Sequence, residues 1–302
     1  MAYRFRRTES VQNGLKRIAR KQVQQAIAEM EEPAGDLHEA VHQVRKRFKK
    51  MRGLLRLVRP GFPQYAEENA WYRDAGREIS RVRDAESMKN TAAKLVSRED
   101  SSELREALQA LNAALLDRQA RITAEAAGLE EQLLRLAADQ RDALDRIDSW
   151  RVKGQPDSTV MKGLKQTYTR GFDALNLLES EDTTDDADWH EWRKRVKYHW
   201  YHTRLLVSVW KPVMTARKKE LSRLSDLLGD EHDLSVLREL LAREDGVAGG
   251  AGPEKLIRRR MDNRQQQLRQ QAVNLGCRVF ADRPSVFRRR MKQWWILWRK
   301  GL

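Results

Sequence analysis

A chain of 302 residues, 40% of them hydrophobic, has enough apolar side chains to enclose substantial cores without covalent or metal staples. Its 59 Lys and Arg against 44 Asp and Glu leave a net charge of +15, which favours a polyanionic partner: nucleic acid, an anionic membrane or polyphosphate. A single cysteine, Cys277, excludes an intramolecular disulfide and a cysteine-based zinc module, and no apolar run reaches the roughly 18 residues of a membrane span.

In chain order, the basic N-terminus leads into no apolar leader segment, so a cytoplasmic protein is expected. Apolar residues then recur at helical spacing: Val11, Leu15 and Ile18; Val41, Val44, Phe48, Met51 and Leu55; later Leu221, Leu224 and Leu228. No stretch alternates as a strand does, so the predicted class is all-α. Turn and capping residues break the helices at 31–36, 59–64, 152–159, 180–188, 211–213 and 246–253.

The two halves parse alike. Gly14-Leu15-Lys16 returns as Gly163-Leu164-Lys165, the HQVRKRFK starting at His42 returns as HEWRKRVK from His190, and the SRVRD ending at Asp84 answers GDEHD ending at Asp233. The expectation is an internal duplication that builds two pseudo-symmetric antiparallel bundles of about four main helices each, residues 1–153 and 154–302.

The second helix of the first copy places Val41, Val44, Phe48, Met51, Leu55 and Val58 in one band, the face a bundle helix buries. Beside that band, on an edge about 80° wide, lie His38, His42, Arg45, Lys49, Arg52 and Arg56. Like charges spaced this way weaken a helix by a few tenths of a kcal/mol per pair unless an anion sits among them. The second copy repeats the stripe with His190, Arg193, Lys197 and Arg204. Helix three adds Arg73, Arg77 and Arg81 beside Asp84, whereas the corresponding residues of the second half are Ser222, Asp226 and Asp230. Lys16 and Lys165 keep their place in both copies and join the candidate binding residues; as lone cations on helix one they also read as plain surface.

His38-Glu39-x-x-His42 spells a zinc-protease pattern, but it reads as accidental. Arg45 and Lys49 would share the ion's face, no third ligand is in view, and the second copy has Asp186 in place of His38. Glu39 also closes a capping box with Asp36. No metal, cofactor or catalytic role is expected.

His42-x-x-Arg45-x-x-x-Lys49-Lys50-Met51-Arg52 resembles the signature of the CHAD (conserved histidine α-helical domain) family, and His190-x-x-Arg193-x-x-x-Lys197 is similar to its second-half counterpart. SRVRD, LGDEHD and the ending FADRPSVFRRRMKQWWILWRKGL fit the same family, so the resemblance spans nearly the whole chain. It implies a non-enzymatic binder of long-chain inorganic polyphosphate at cytoplasmic polyphosphate granules. Motif and stripes together give the candidate ligand residues His42, Arg45, Lys49, Lys50, Arg52, Arg56, Arg77 and Arg81, with His190, Arg193, Lys197 and Arg204. Where the resemblance expects Arg in the second half, this chain has Trp200, with Arg204 on the same stripe as the substitute. The residues agree: a phosphate chain offers no base to read, so closely spaced cations suffice.

Two other readings compete. A cationic groove also attracts nucleic acid, the weaker competitor because the aromatic residues fall at core-like spacing. A metal-dependent phosphohydrolase, suggested by His232-Asp233, needs further His and Asp ligands that the first copy does not supply. Trp294, Trp295 and Trp298 with Arg288 to Arg290 read as a helix capping the second bundle rather than as a membrane-surface helix.

Overall fold

A computed structural model of the chain describes residues 3–33, 37–96, 101–125, 128–180, 185–244 and 246–302, with the side chains of all of these except 81–86 and 123–125. Its elements are α1 (Val11–Glu31), α2 (Leu37–Val58), a 3-10 turn (Arg59–Gly61), α3 (Tyr65–Glu78), α4 (Arg81–Leu95), α5 (Ser102–Glu125) and α6 (Leu129–Ser149), followed by α7 (Pro156–Ser180), α8 (Asp186–Leu205), α9 (Lys211–Arg243), α10 (Ala251–Val279) and α11 (Pro284–Lys300). There is no strand among the described residues, and the protein is all-α.

Local chemistry sets several ends. Ser10 caps α1 by accepting from the Asn13 amide (3.1 Å), and Asp185 caps α8 by accepting from the Asp188 amide (2.9 Å). Pro opens α7, α9 and α11 in the first turn, where its missing N–H costs nothing. Glu39 lies in the first turn of α2; its expected capping partner, Asp36, lies outside the described residues.

Packing repeats along the chain. α1 packs on α2 and α6 as α7 packs on α8 and α11; α2 meets α3 as α8 meets α9, and α4 meets α5 as α9 meets α10. Helix three differs between the halves: the first half breaks it at Ile79-Ser80 into α3 and α4, whereas α9 runs on for 33 residues, about 50 Å.

The apolar cores do not follow the 153/154 boundary. One large core joins α1, α2, α3 and α6 to α7, α8, α11, the start of α9 and the end of α10. A smaller one joins α4 and α5 to the far end of α9 and the start of α10. α9 and α10 are long because each spans both. Every member of the predicted band on α2 is buried, from Val41 to Val58.

Two glycines set how α2 meets the second half. A Cβ on Gly53 would lie 2.8 Å from Tyr201 Cβ, so α2 and α8 cross there. A Cβ on Gly163 would lie 2.0 Å from the Leu57 carbonyl oxygen, so α7 rests directly on the backbone at the end of α2. The stripes of α2 and α8 are thereby brought edge to edge.

Candidate functional site

Cations from both α2 and α8 line one cleft with two lobes. The first, about 350 Å³, has Arg45, Lys49, Arg52, Arg73, Arg77, His190, Arg193, Lys194 and Lys197 on its walls, over Phe48, Tyr72, Tyr198 and Tyr201. None of its lining residues is acidic. The second, about 380 Å³, is lined by His42, Arg45, Lys46, Lys49 and Arg193 with Ser87, His232 and Asp233. Arg45, Lys49 and Arg193 belong to both, so the lobes are continuous.

Several cations are held in place by partners that leave their charge intact. Arg45 Nη1 donates to the Gly76 carbonyl (2.6 Å), which ties α2 to α3. Arg52 Nε donates to Asn69 Oδ1 (3.3 Å). An aromatic face positions Lys197, which lies 4.8 Å from the centre of the Trp200 ring; outside the lining, the Arg204 guanidinium lies 4.6 Å from the same ring and that of Arg56 4.1 Å from the Tyr198 ring. Burial lowers the pKa of Arg52, Arg193 and Lys197, and neighbouring cations add to that on Arg52 and Lys197. The cleft therefore concentrates positive charge against a cost that an anion would remove.

α9 supplies the counterweight. Asp233 accepts from Ser87 Oγ (3.2 Å) and faces Arg193; Asp226 faces Lys197; Asp230 pairs with Lys94 of α4 (2.7 Å). The acidic edge of helix three in the second half thus orients α8 and clasps α4, which accounts for its difference from Arg73 and Arg77.

His232 meets the histidine of the repeated stripe. Its Nδ1 lies 3.2 Å from His190 Nδ1, so one ring donates to the other's lone pair and at least one imidazole is neutral. Burial first, then Arg193 and His190, push His232 down to about 3; burial and Lys194 also lower His190. His199 and His202 are buried elsewhere, His202 Nε2 donating to the Gly53 carbonyl (3.0 Å). No group of three or more His, Cys, Asp or Glu among the described residues could hold a metal ion.

Some of the residues read from the sequence lie away from the cleft, Arg56 and Arg204 among them, since neither lines either lobe. Lys16 Nζ donates to the Asp148 carbonyl at the end of α6 (2.7 Å) and does not line the cleft. Lys50 turns toward Arg47 and Arg204, where burial and those charges bring it to about 8. Lys165 lines a separate surface pocket with Arg59 and Arg170. The side chain of Arg81 lies outside the described residues, as does that of Asp84. Sequence reasoning missed Tyr198, Lys46, Lys194 and Ser87. Tyr198 falls off the stripe and matters only because α2 brings Arg56 against it.

A family model described as CHAD domain matches residues 17–242. Among solved structures, the crystal structure of the CHAD domain from the plant Ricinus communis is similar, with a TM-score of 0.58, 17% sequence identity, and 94% of this chain and 96% of that one covered. No curated protein matches. No helix among the described residues is long and apolar enough to cross a membrane.

Proposed function

Because the chain belongs to the CHAD family, and because two helices from its two halves turn their cations into one cleft, we propose that it binds long-chain inorganic polyphosphate without transforming it. The observation that carries this reading is the sharing of Arg45, Lys49 and Arg193 by both lobes, which offers a linear polyanion a continuous run of donors. The α2 cations that line it, from His42 to Arg52, span roughly 15 Å at 1.5 Å per residue.

The aromatic rings argue for phosphate chains over nucleic acid. Bases bind by stacking on free aromatic faces. Here Tyr198 and Trp200 carry Arg56, Lys197 and Arg204 instead, so the rings serve the cations. The repeated helix pairing also supports reading 1–153 and 154–302 as copies of one unit, each giving its histidine helix to the site. Such a binder belongs where polyphosphate accumulates, at cytoplasmic granules.

The test compares affinity for long-chain polyphosphate with that for single- and double-stranded nucleic acid at matched charge and salt. Tighter binding of polyphosphate is expected, with no phosphate released on prolonged incubation. Equal affinity for all three polyanions would replace this reading with a general polyanion binder.

A further inference from the structure

The surface pocket on α7 is separate from the cleft, yet further cations at the end of α2, Arg56 and Arg59, lead to it. Gly163 lets α7 lie on the Leu57 carbonyl, and this sets Lys165, Thr169 and Arg170 beside Arg59 around a pocket of about 410 Å³. None of its lining residues is acidic. Burial and the guanidinium groups of Arg195, Arg59 and Arg56 lower the pKa of Arg170, with Tyr65 acting the other way. Like charges gathered in this way favour an anion among them.

A ladder of cations on aromatic rings joins the two places. Arg56 sits over Tyr198, which lines the cleft, and its Nη1 donates to Tyr65 Oη (2.7 Å). Arg59 lies 4.8 Å from the centre of the other ring in this ladder, that of Tyr65. From Lys49 to Arg59 the path along α2 is roughly 15 Å. Arg56 Nε is buried and makes no hydrogen bond among the described residues.

We propose that the pocket formed by Arg59, Lys165 and Arg170 is a second phosphate subsite, joined to the cleft through Arg56, so that one long chain occupies both. The proposal rests on the polyphosphate reading and adds a chain-length filter to it. A short oligophosphate fills the cleft alone, whereas a long one gains the second site as a linked interaction without a second association cost.

The experiment compares wild type, the triple variant Arg59→Ala, Lys165→Ala, Arg170→Ala, and the cleft variant Lys49→Ala, Lys197→Ala, with folding checked by circular dichroism. Each is titrated with tripolyphosphate and with long-chain polyphosphate over a range of salt. In the triple variant, long-chain affinity is expected to fall about tenfold and its salt dependence to become shallower, while tripolyphosphate affinity is unchanged. Unchanged long-chain affinity and slope, or an equal loss for both ligands, would overturn the second subsite. A cleft variant that binds both ligands like wild type would instead overturn the polyphosphate reading itself. The three residues line an open surface pocket, and removing mutually repelling cations there leaves the fold intact.

Discussion

Gly53 and Tyr201 touch where α2 crosses α8, and there is no room between them: a Cβ on Gly53 would meet Tyr201 Cβ at 2.8 Å and Cγ at 3.1 Å. This contact fixes the angle between the two helices that carry the cations. Tyr201 is itself buried, with its ring 6.2 Å edge-on from Tyr3, so it has little freedom to retreat.

Gly53→Ala is therefore expected to destabilise the fold by about 1–3 kcal/mol through overpacking, and to weaken polyphosphate binding by splaying the cleft. Gly229→Ala is the contrast. Gly229 lies inside α9 with open space around it, so the substitution is expected to stabilise by about 0.5–1 kcal/mol. Denaturant midpoints of the two variants check the sign of each effect; a neutral Gly53→Ala would remove the role given to the crossing.

Arg45→Ala with Lys49→Ala, and separately Arg193→Ala with Lys197→Ala, are each expected to lower polyphosphate affinity and flatten its dependence on salt. By analogy with duplex DNA, each lost phosphate contact removes about 0.9 from the log–log slope. The first pair also loses the Arg45 bond to Gly76, about 0.5–1.5 kcal/mol of stability. All four changes together should bind worse than either pair. Titrations at several salt concentrations measure this, and a fourfold variant with wild-type affinity would exclude the cleft.

Trp200→Leu keeps an apolar side chain but removes the face beneath Lys197 and Arg204. A cation–π contact is worth about 0.5–2 kcal/mol, so polyphosphate affinity should fall severalfold as Lys197 loses its position in the cleft. Calorimetric titration reads the loss. Unchanged affinity would show that the ring does not organise the site.

Acid should destabilise the free protein. Burial brings the His202 pKa from the usual 6.5 down to about 3, and His232 is brought equally low. Below pH 6.5 the unfolded chain takes up protons that the folded one refuses, so stability falls as the pH drops from about 6.5 toward about 3, and these groups add no slope above that window. Each such histidine contributes at most about 1.4 kcal/mol per pH unit. His202→Gln, which keeps a donor for the Gly53 carbonyl, should show a shallower acid slope in thermal melts; an unchanged slope would mean that His202 does not set it.

The sequence by itself determined the helical class, the buried face of α2 and the two cationic stripes. These are one-dimensional properties: period, charge and a repeated pattern survive in the chain whatever it packs against. Arg45, Lys49, Arg193 and Lys197 were legible for that reason, and so was the absence of their pattern from helix three of the second half. What that absence means was decided by packing, because Asp226 and Asp233 acquire a purpose only when α9 sets them against Lys197 and Arg193. The same holds for Lys16, which shares its motif with Lys165 yet ends on the Asp148 carbonyl at the end of α6, whereas Lys165 lies beside Arg59 and Pro60 of the turn after α2. The meeting of His190 with His232, the seat of Arg56 on Tyr198, and a core that crosses the boundary between the halves all depend on which helices touch. Close approach at Gly53 and Gly163 decided that, and a glycine in a sequence does not name the side chain or backbone that will fill the space beside it.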